Sequence, residues 1–189
     1  MAKVSVSYVP EGLASYSVTV ADGFSARPAA VVGRWSLRLH DGARQAVSQR
    51  LGLSLQASCL AADTNDKHAA LRLSQDEWLL LALAEDHGLE QQLAGLSSDL
   101  AVAVDISHAY EGIAVSGPAS AEALSVGCPL DLHASVFPIA ACTRTLFGKV
   151  GICLWKRAAD AYHLEYSRSH RSYVWELLSL AGQDIATQL

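Results

Sequence analysis

One order of patterns runs through this chain twice, and a repeated order restricts the fold more than any single segment does. In the first pass "WSLRLH" alternates as a strand should, starting at Trp35. "DGARQAVSQRLG" then sets Ala43, Ala46, Val47 and Leu51 on one helical face, between a capping Asp41 and a closing Gly52. The order returns about 75 residues on. "GIAVSG" is a short strand, Pro118 sits where a first helical turn tolerates proline, "ASAEALSV" is the helix, and Gly127 closes it. Each helix leads through a polar stretch to two strands and a last helix: "AALRLS", "EWLLLALA" and "DHGLEQQLAG", then "KVGICLW", "AYHLEYS" and "SHRSYVWELLSLAG". Both passes end in Leu-Ala-Gly, at Gly95 and Gly182.

Two copies of strand, helix, strand, strand, helix predict an α+β domain over 34–189, with halves of about 34–100 and 101–189 and helices on one side of the sheet. The other side must be covered by the second copy or by another chain. Residues 1–33 show only short alternating pieces among Gly, Pro and Ser, which predicts an extended amino-terminal arm. One local signal opposes the scheme. Ser74 followed by Glu77 before an apolar run resembles a capping box, so "SQDEWLLLALAED" alone reads as a helix. The repeat decides for strands, because the matching "AYHLEYS" alternates and is rich in aromatics. In the last helix Tyr173, Val174, Leu177, Leu178 and Ala181 form an apolar stripe.

The composition suits a chain that meets another protein. The apolar fraction is 51%, the charged fraction 17% and the mean hydropathy +0.20, more apolar than a domain with all its surface in water. Between Arg72 and Arg144 there is neither Lys nor Arg, while Asp76, Glu77, Glu85, Asp86, Glu90, Asp99, Asp105, Glu111, Glu122 and Asp131 fall there. Such a stretch repels a nucleic-acid backbone. Arg27, Arg34, Arg38, Arg44 and Arg50 form an opposite block against Asp41. Charge segregated in this way steers docking of a complementary subunit. No apolar run reaches the roughly 18 residues that span a bilayer, and the first residues lack a basic start followed by an apolar block. A cytoplasmic protein with no membrane partner is expected. Cys59, Cys128, Cys142 and Cys153 show no C-x-x-C pair and read as buried thiols.

Several polar groups invite a chemical reading. "VDISHAYEG" brings Asp105, Ser107 and His108 together, the residue types of a hydrolase triad. The chain has no G-x-S-x-G, and Ser116 in "AVSGPA" follows Ala114 where a glycine is required. Local hydrogen bonds in a turn are the expected use. Cys128, Asp131 and His133 have zinc-ligand chemistry but lack an anchoring pair. Cys142 lies beside Arg144, with no sequence-local histidine to deprotonate it. No G-x-G-x-x-G or G-x-x-x-x-G-K-[ST] is present, and "GKVG" at 148–151 is too short to cradle a phosphate. Arg168 and Arg171 flank the start of the last helix, where the macrodipole disfavours cations, so a partner's carboxylate is their expected counterpart.

"VDISHAYEGIAVSGPASAEAL", "GCPLDL", Phe137-Pro138, "ACTRTLFGKVGICLW" and "HLEYSRSHRSYVWELL" resemble, in order and spacing, the gamma subunit of heterotetrameric sarcosine oxidase. The resemblance runs from about Trp35 to Gly182 and extends to the folate-binding domain of the glycine-cleavage T-protein. It implies a noncatalytic structural subunit of a complex that oxidises N-methylglycine to glycine and transfers the one-carbon unit to tetrahydrofolate. The implied partners are the alpha, beta and delta subunits, which hold FAD, FMN, NAD, tetrahydrofolate and zinc. No catalytic, cofactor-binding or metal-binding residue is then expected in this chain. The T-protein relatives carry an acidic pair, in a Gly-Val-Ile-Asp-Asp-Leu stretch, that handles folate; laid on this chain, it falls on Val150 and Gly151. With no carboxylate there, the alternative of a stand-alone folate-binding aminomethyltransferase loses its general acid or base.

Overall fold

The computed structural model describes residues 4–7, 16–55, 58, 60–83, 88–93, 96 and 100–188. In chain order these form β1 (Val4–Ser7), β2 (Ser17–Val20), β3 (Ser25–Pro28), β4 (Gly33–Leu39), α1 (Asp41–Leu51), β5 (Ala62–Thr64), β6 (His68–Arg72), β7 (Glu77–Ala82), α2 (Gly88–Leu93), β8 (Ala101–Asp105), β9 (Tyr110–Ser116), α3 (Ser120–Ser125), β10 (Cys142–Phe147), β11 (Val150–Ala158), β12 (Ala161–Ser167), a 3-10 turn (Arg168–His170) and α4 (Arg171–Gln188). The strands make two sheets, ordered β1-β2-β3-β9-β12-β11-β10 and β5-β6-β7-β4-β8. Two compact units contain them, one of Ala30–Tyr110 with Ala140–Thr143, the other of Met1–Ala29, Glu111–Ile139 and Arg144–Leu189.

The repeat is present and longer than the sequence suggested. Read from one edge, β5-β6-β7-β4-β8 matches β10-β11-β12-β9-β3 position for position. Each hairpin is preceded by its own outer strand, and the first strand of each pass, β4 or β9, lies beside the last, β7 or β12. The last places are exchanged. β3 leads into β4 through residues 29–32 but pairs with β9, whereas β8 leads into β9 through 106–109 but pairs with β4. The second unit therefore takes up at Glu111 and not near residue 101, because β8 belongs to the first unit's sheet.

In the unit built on β4, Leu37, Leu39, Trp78, Leu80, Ala82 and Ala101 meet Val47 and Leu51 of α1 and Leu89 and Leu93 of α2 in one apolar core. α1 starts one residue earlier than a capping Asp41 would require. His40 is the N-cap, without a side-chain cap bond, and Asp41 is the first helical residue, paired with Arg44. A carboxylate in the first turn still complements the macrodipole. Gly52 ends the helix in the left-handed conformation, φ 62°. Ala46 is exposed, contrary to the expected stripe, since so small a side chain adds little to a face already filled by Val47 and Leu51. β7 is a strand, and every one of its residues is buried. A strand covered on both faces loses its alternation, which is why "EWLLLALA" looked helical. The capping-box resemblance comes from the β6–β7 turn, where the Leu73 N–H donates to the Glu77 carbonyl at 2.9 Å and the Ser74 hydroxyl donates to Asp76 at 2.9 Å.

In the other unit α4 buries Val174, Trp175, Leu178, Ala181 and Ile185. The stripe is rotated relative to the expected one: Tyr173 is exposed and Leu177 only half-buried, because Trp175 takes the inner position. The segment read as an arm supplies the surface that α4 covers. Val18, Val20, Phe24 and Ala26 are buried, and the Tyr16 ring lies 5.5 Å from that of Trp175. Gly182 lets α4 approach β2 so closely that an added Cβ would stand 3.0 Å from Val18 Cγ1. Gly127 works differently from Gly52. A Cβ there would meet the Gly148 backbone N at 2.8 Å, and the Gly148 N–H donates to the Gly127 carbonyl at 2.8 Å. Gly127 is thus explained by the close passage of a neighbouring backbone.

Candidate functional site

Of the residues with triad chemistry, Asp105 ends β8, while Ser107 and His108 lie in the connection from β8 to β9, the counterpart of 29–32 in the repeat. The Ser107 N–H donates to Asp105 at 2.8 Å, and the Arg34 N–H donates to the Ser107 hydroxyl oxygen at 2.9 Å. The Ile106 N–H donates to the Arg34 carbonyl at 2.9 Å, continuing the β4–β8 ladder into the turn. Ser107, through its hydroxyl and then its N–H, holds the Asp105 carboxyl below the usual carboxylate range. The group is a turn that fixes where the chain leaves β8. The serine oxygen is engaged by backbone, so it does not present itself as a nucleophile.

The possible zinc ligands also serve local structure. Asp131 accepts the His133 N–H at 2.9 Å, and His133 Nδ1 lies 2.7 Å from the Ser135 hydroxyl, while the buried Cys128 Sγ lies 3.9 Å from Thr145 Oγ1. Among the described residues no three of His, Cys, Asp and Glu come together as a metal site. Cys142 is fully buried, its thiol 3.7 Å from the Arg72 carbonyl. Cys128, Cys142 and Cys153 are buried; Cys59 and Gly95 lie outside the described residues. Val150 and Gly151 open β11, Val150 buried and Gly151 exposed, and a Cβ on Gly151 would meet nothing within 4 Å. Neither residue carries a carboxylate, the group that the resemblance would put there.

Two buried polar groups were missed by sequence reasoning. Glu111 of β9 receives a two-pronged ion pair from Arg171 of α4, one arm through Nε at 2.9 Å, and the Tyr166 hydroxyl of β12 donates to the same carboxylate at 3.2 Å. The expectation that Arg171 awaits a partner's carboxylate is thereby corrected. The cation at a helix start is offset by a carboxylate from a strand, and β12 adds a hydroxyl. Burial and the Glu111 charge push the Tyr166 phenol well above its ordinary value, so it stays a donor. Nothing local in the sequence signals this cluster, since Glu111 lies 55 residues from Tyr166 and 60 from Arg171. The second group is His163 with Glu165, Nε2 to Oε1 at 2.7 Å, both fully buried on one face of β12. Its only sequence signal is a His and a Glu two apart in an otherwise aromatic strand.

Residues 39–184 match the sarcosine oxidase, gamma subunit family. Among curated relatives, the sarcosine oxidase subunit gamma of Arthrobacter sp is 30% identical over 97 residues, 51% of this chain and 47% of that one. The one from Corynebacterium sp. (strain P-1) is 25% identical over 124 residues, 65% of this chain and 61% of that one. The chain thus spans about half to three-fifths of the length of the curated relatives it matches. Among solved structures, a chain of the heterotetrameric sarcosine oxidase from Corynebacterium sp. U-96, in complex with pyrrole 2-carboxylate, superposes with a TM-score of 0.79 at 24% identity, covering 86% of this chain and 85% of that one. The glycine cleavage system aminomethyltransferase T from Bartonella henselae does so with a TM-score of 0.57 at 11% identity, covering 77% and 42%. These two likenesses establish the α+β fold shared with the T-protein, and the family match extends over most of the sequence. The chain belongs to the sarcosine oxidase gamma subunit family.

Proposed function

We propose that this chain is a noncatalytic, structural gamma subunit of a heterotetrameric sarcosine oxidase. In this reading the complex oxidises N-methylglycine to glycine and passes the one-carbon unit to tetrahydrofolate. The observation that carries it is the family match over 39–184. The use of each reactive-looking group in local structure supports it, with Ser107 on the Arg34 backbone, Asp131 on the His133 backbone and Gly151 where a folate carboxylate would stand. The alpha, beta and delta subunits would then hold FAD, FMN, NAD, tetrahydrofolate and zinc. No helix among the described residues is long and apolar enough to cross a membrane, and the acidic stretch disfavours nucleic acid.

The test is spectroscopic. The chain purified alone should be colourless and produce no peroxide from N-methylglycine, whereas the four subunits together should carry a flavin band and oxidise the substrate. A flavin band that stays with the isolated chain through gel filtration, or tight folate binding by it, would overturn the reading.

A further inference from the structure

β8 is the last strand of its sheet, and among the described residues no strand pairs with its outer side. The register fixes what that side presents. His40 donates to the Leu100 carbonyl and Ile106 to the Arg34 carbonyl, both at 2.9 Å, so residues 100, 102, 104 and 106 direct their backbone groups toward β4. In an antiparallel ladder the alternate residues, Ala101, Ala103 and Asp105, turn theirs outward. The side chains alternate too. Ala101 and Ala103 face the core opposite Leu39 and Leu37, while Val102 and Val104 face the other way and are 47% and 52% exposed. Edge strands that stay in water are blunted by lysine, proline or a bulge. "AVAVD" has none of these.

We propose that the outer edge of β8 is a docking rail for an extended segment of another chain, added as a further strand, with aliphatic side chains beside Val102 and Val104 and a Lys or Arg near Asp105. This rests on the reading of the chain as a subunit. Main-chain hydrogen bonds to Ala101, Ala103 and Asp105 would supply affinity, and the valines and the acid would supply selectivity. Charge chooses the occupant. Exposed Asp105 ends the strand; at its start Leu100 shares a hollow with Asp41 and Asp76, whose carboxylates are paired with Arg44 and Arg38. Arg38, the nearby cation on β4, is engaged by Asp76 and Glu77. A second copy fits badly. Pairing of β8 with itself joins two chains of net charge −5, and the strand has no Lys or Arg to meet the other copy's Asp105. A basic, apolar segment meets the same rail with opposite charge.

The test is made in the assembled complex. Ala103→Pro removes an outward N–H without breaking the β4 ladder, and Val102→Lys with Val104→Lys makes the edge unwelcoming while leaving the core side untouched. Each should lower the fraction of chain that co-elutes with its partner subunits by about tenfold or more, whereas Leu180→Lys, an exposed apolar site on α4, should not. Hydrogen exchange on the wild-type chain gives a reading without any variant. The amides of Ala101, Ala103 and Asp105 should slow by about tenfold or more on assembly. Unchanged exchange, undiminished co-elution of both variants, or loss of a wild-type homodimer in them would overturn the rail. If the wild-type chain joins no partner, the subunit reading itself fails and takes the rail with it.

Discussion

In the ion pair of Glu111 with Arg171 the carboxylate side chain is 7% exposed and the guanidinium 27%. Removing either partner should therefore not cost the same. Arg171→Ala strands a buried carboxylate and should destabilise by about 3 kcal/mol. Glu111→Ala leaves a cation that can reach water and should cost about 2 kcal/mol, part of it from the Tyr166 hydroxyl losing its acceptor. Equal losses in denaturant melts of the two variants would contradict this account. The glycines divide in the same physical way. Gly117 has φ 122°, and a Cβ on it would stand 2.5 Å from the Gly23 carbonyl oxygen, whereas Gly151 faces open space on a strand. Gly117→Ala should cost about 3 kcal/mol or more. Gly151→Ala should be neutral or stabilising by about 0.5 kcal/mol, as thermal midpoints would show.

The element that most separates the structure from a sequence-level expectation is the amino-terminal segment. As a free arm it could be removed at little cost. As β2 and β3 it contributes Val18, Val20, Phe24 and Ala26 to the surface under α4, each 3% exposed or less. Burying these side chains is worth about 6 kcal/mol, comparable with the whole stability of a domain. Deleting residues 1–29 should abolish the cooperative transition of this unit, seen as loss of its near-ultraviolet circular dichroism; an unchanged melt would restore the arm. The repeat of strand, helix, strand, strand, helix was legible because most elements carry their own period, and β7, which does not, could be read from its counterpart β12. The exchange of β3 and β8 was not, because alternation shows that a strand exists and not which strand it joins. "SVTV" and "SARP" are too short for periodicity to separate from loop. The "VDISHAYEG" turn was legible for the opposite reason, since Asp105 and Ser107 bond within their own neighbourhood. The Glu111, Tyr166 and Arg171 cluster depends on three elements meeting, which no local pattern encodes.

At the scale of the whole molecule, the titrating groups define a pH window. Asp105 and Asp76 are held below 3.8, each chiefly by a neighbouring serine hydroxyl. Their stabilisation is present above the unfolded value and lost as the pH falls through the folded ones. The Tyr166 phenol is raised above 10.0. Its contribution is complete below the unfolded value and lost as the pH rises beyond it. The thermal midpoint should be level between about pH 5 and 9 and fall on both sides. Tyr166→Phe should soften the alkaline fall, and an unchanged alkaline limb would remove Tyr166 from the account. Part of the exposed apolar surface lies in Leu100, Val102 and Val104, each about half exposed along one edge of a sheet. Such an edge is what the proposed subunit role would bury against another chain. The measurement that tests this most directly is the subunit composition and cofactor content of the particle recovered with the tagged full chain from its own cells. The account predicts one copy of this chain with three different subunits, a flavin spectrum, and peroxide production from N-methylglycine that the chain alone does not show. A chain recovered alone, or one that carries the flavin and the activity by itself, would contradict it.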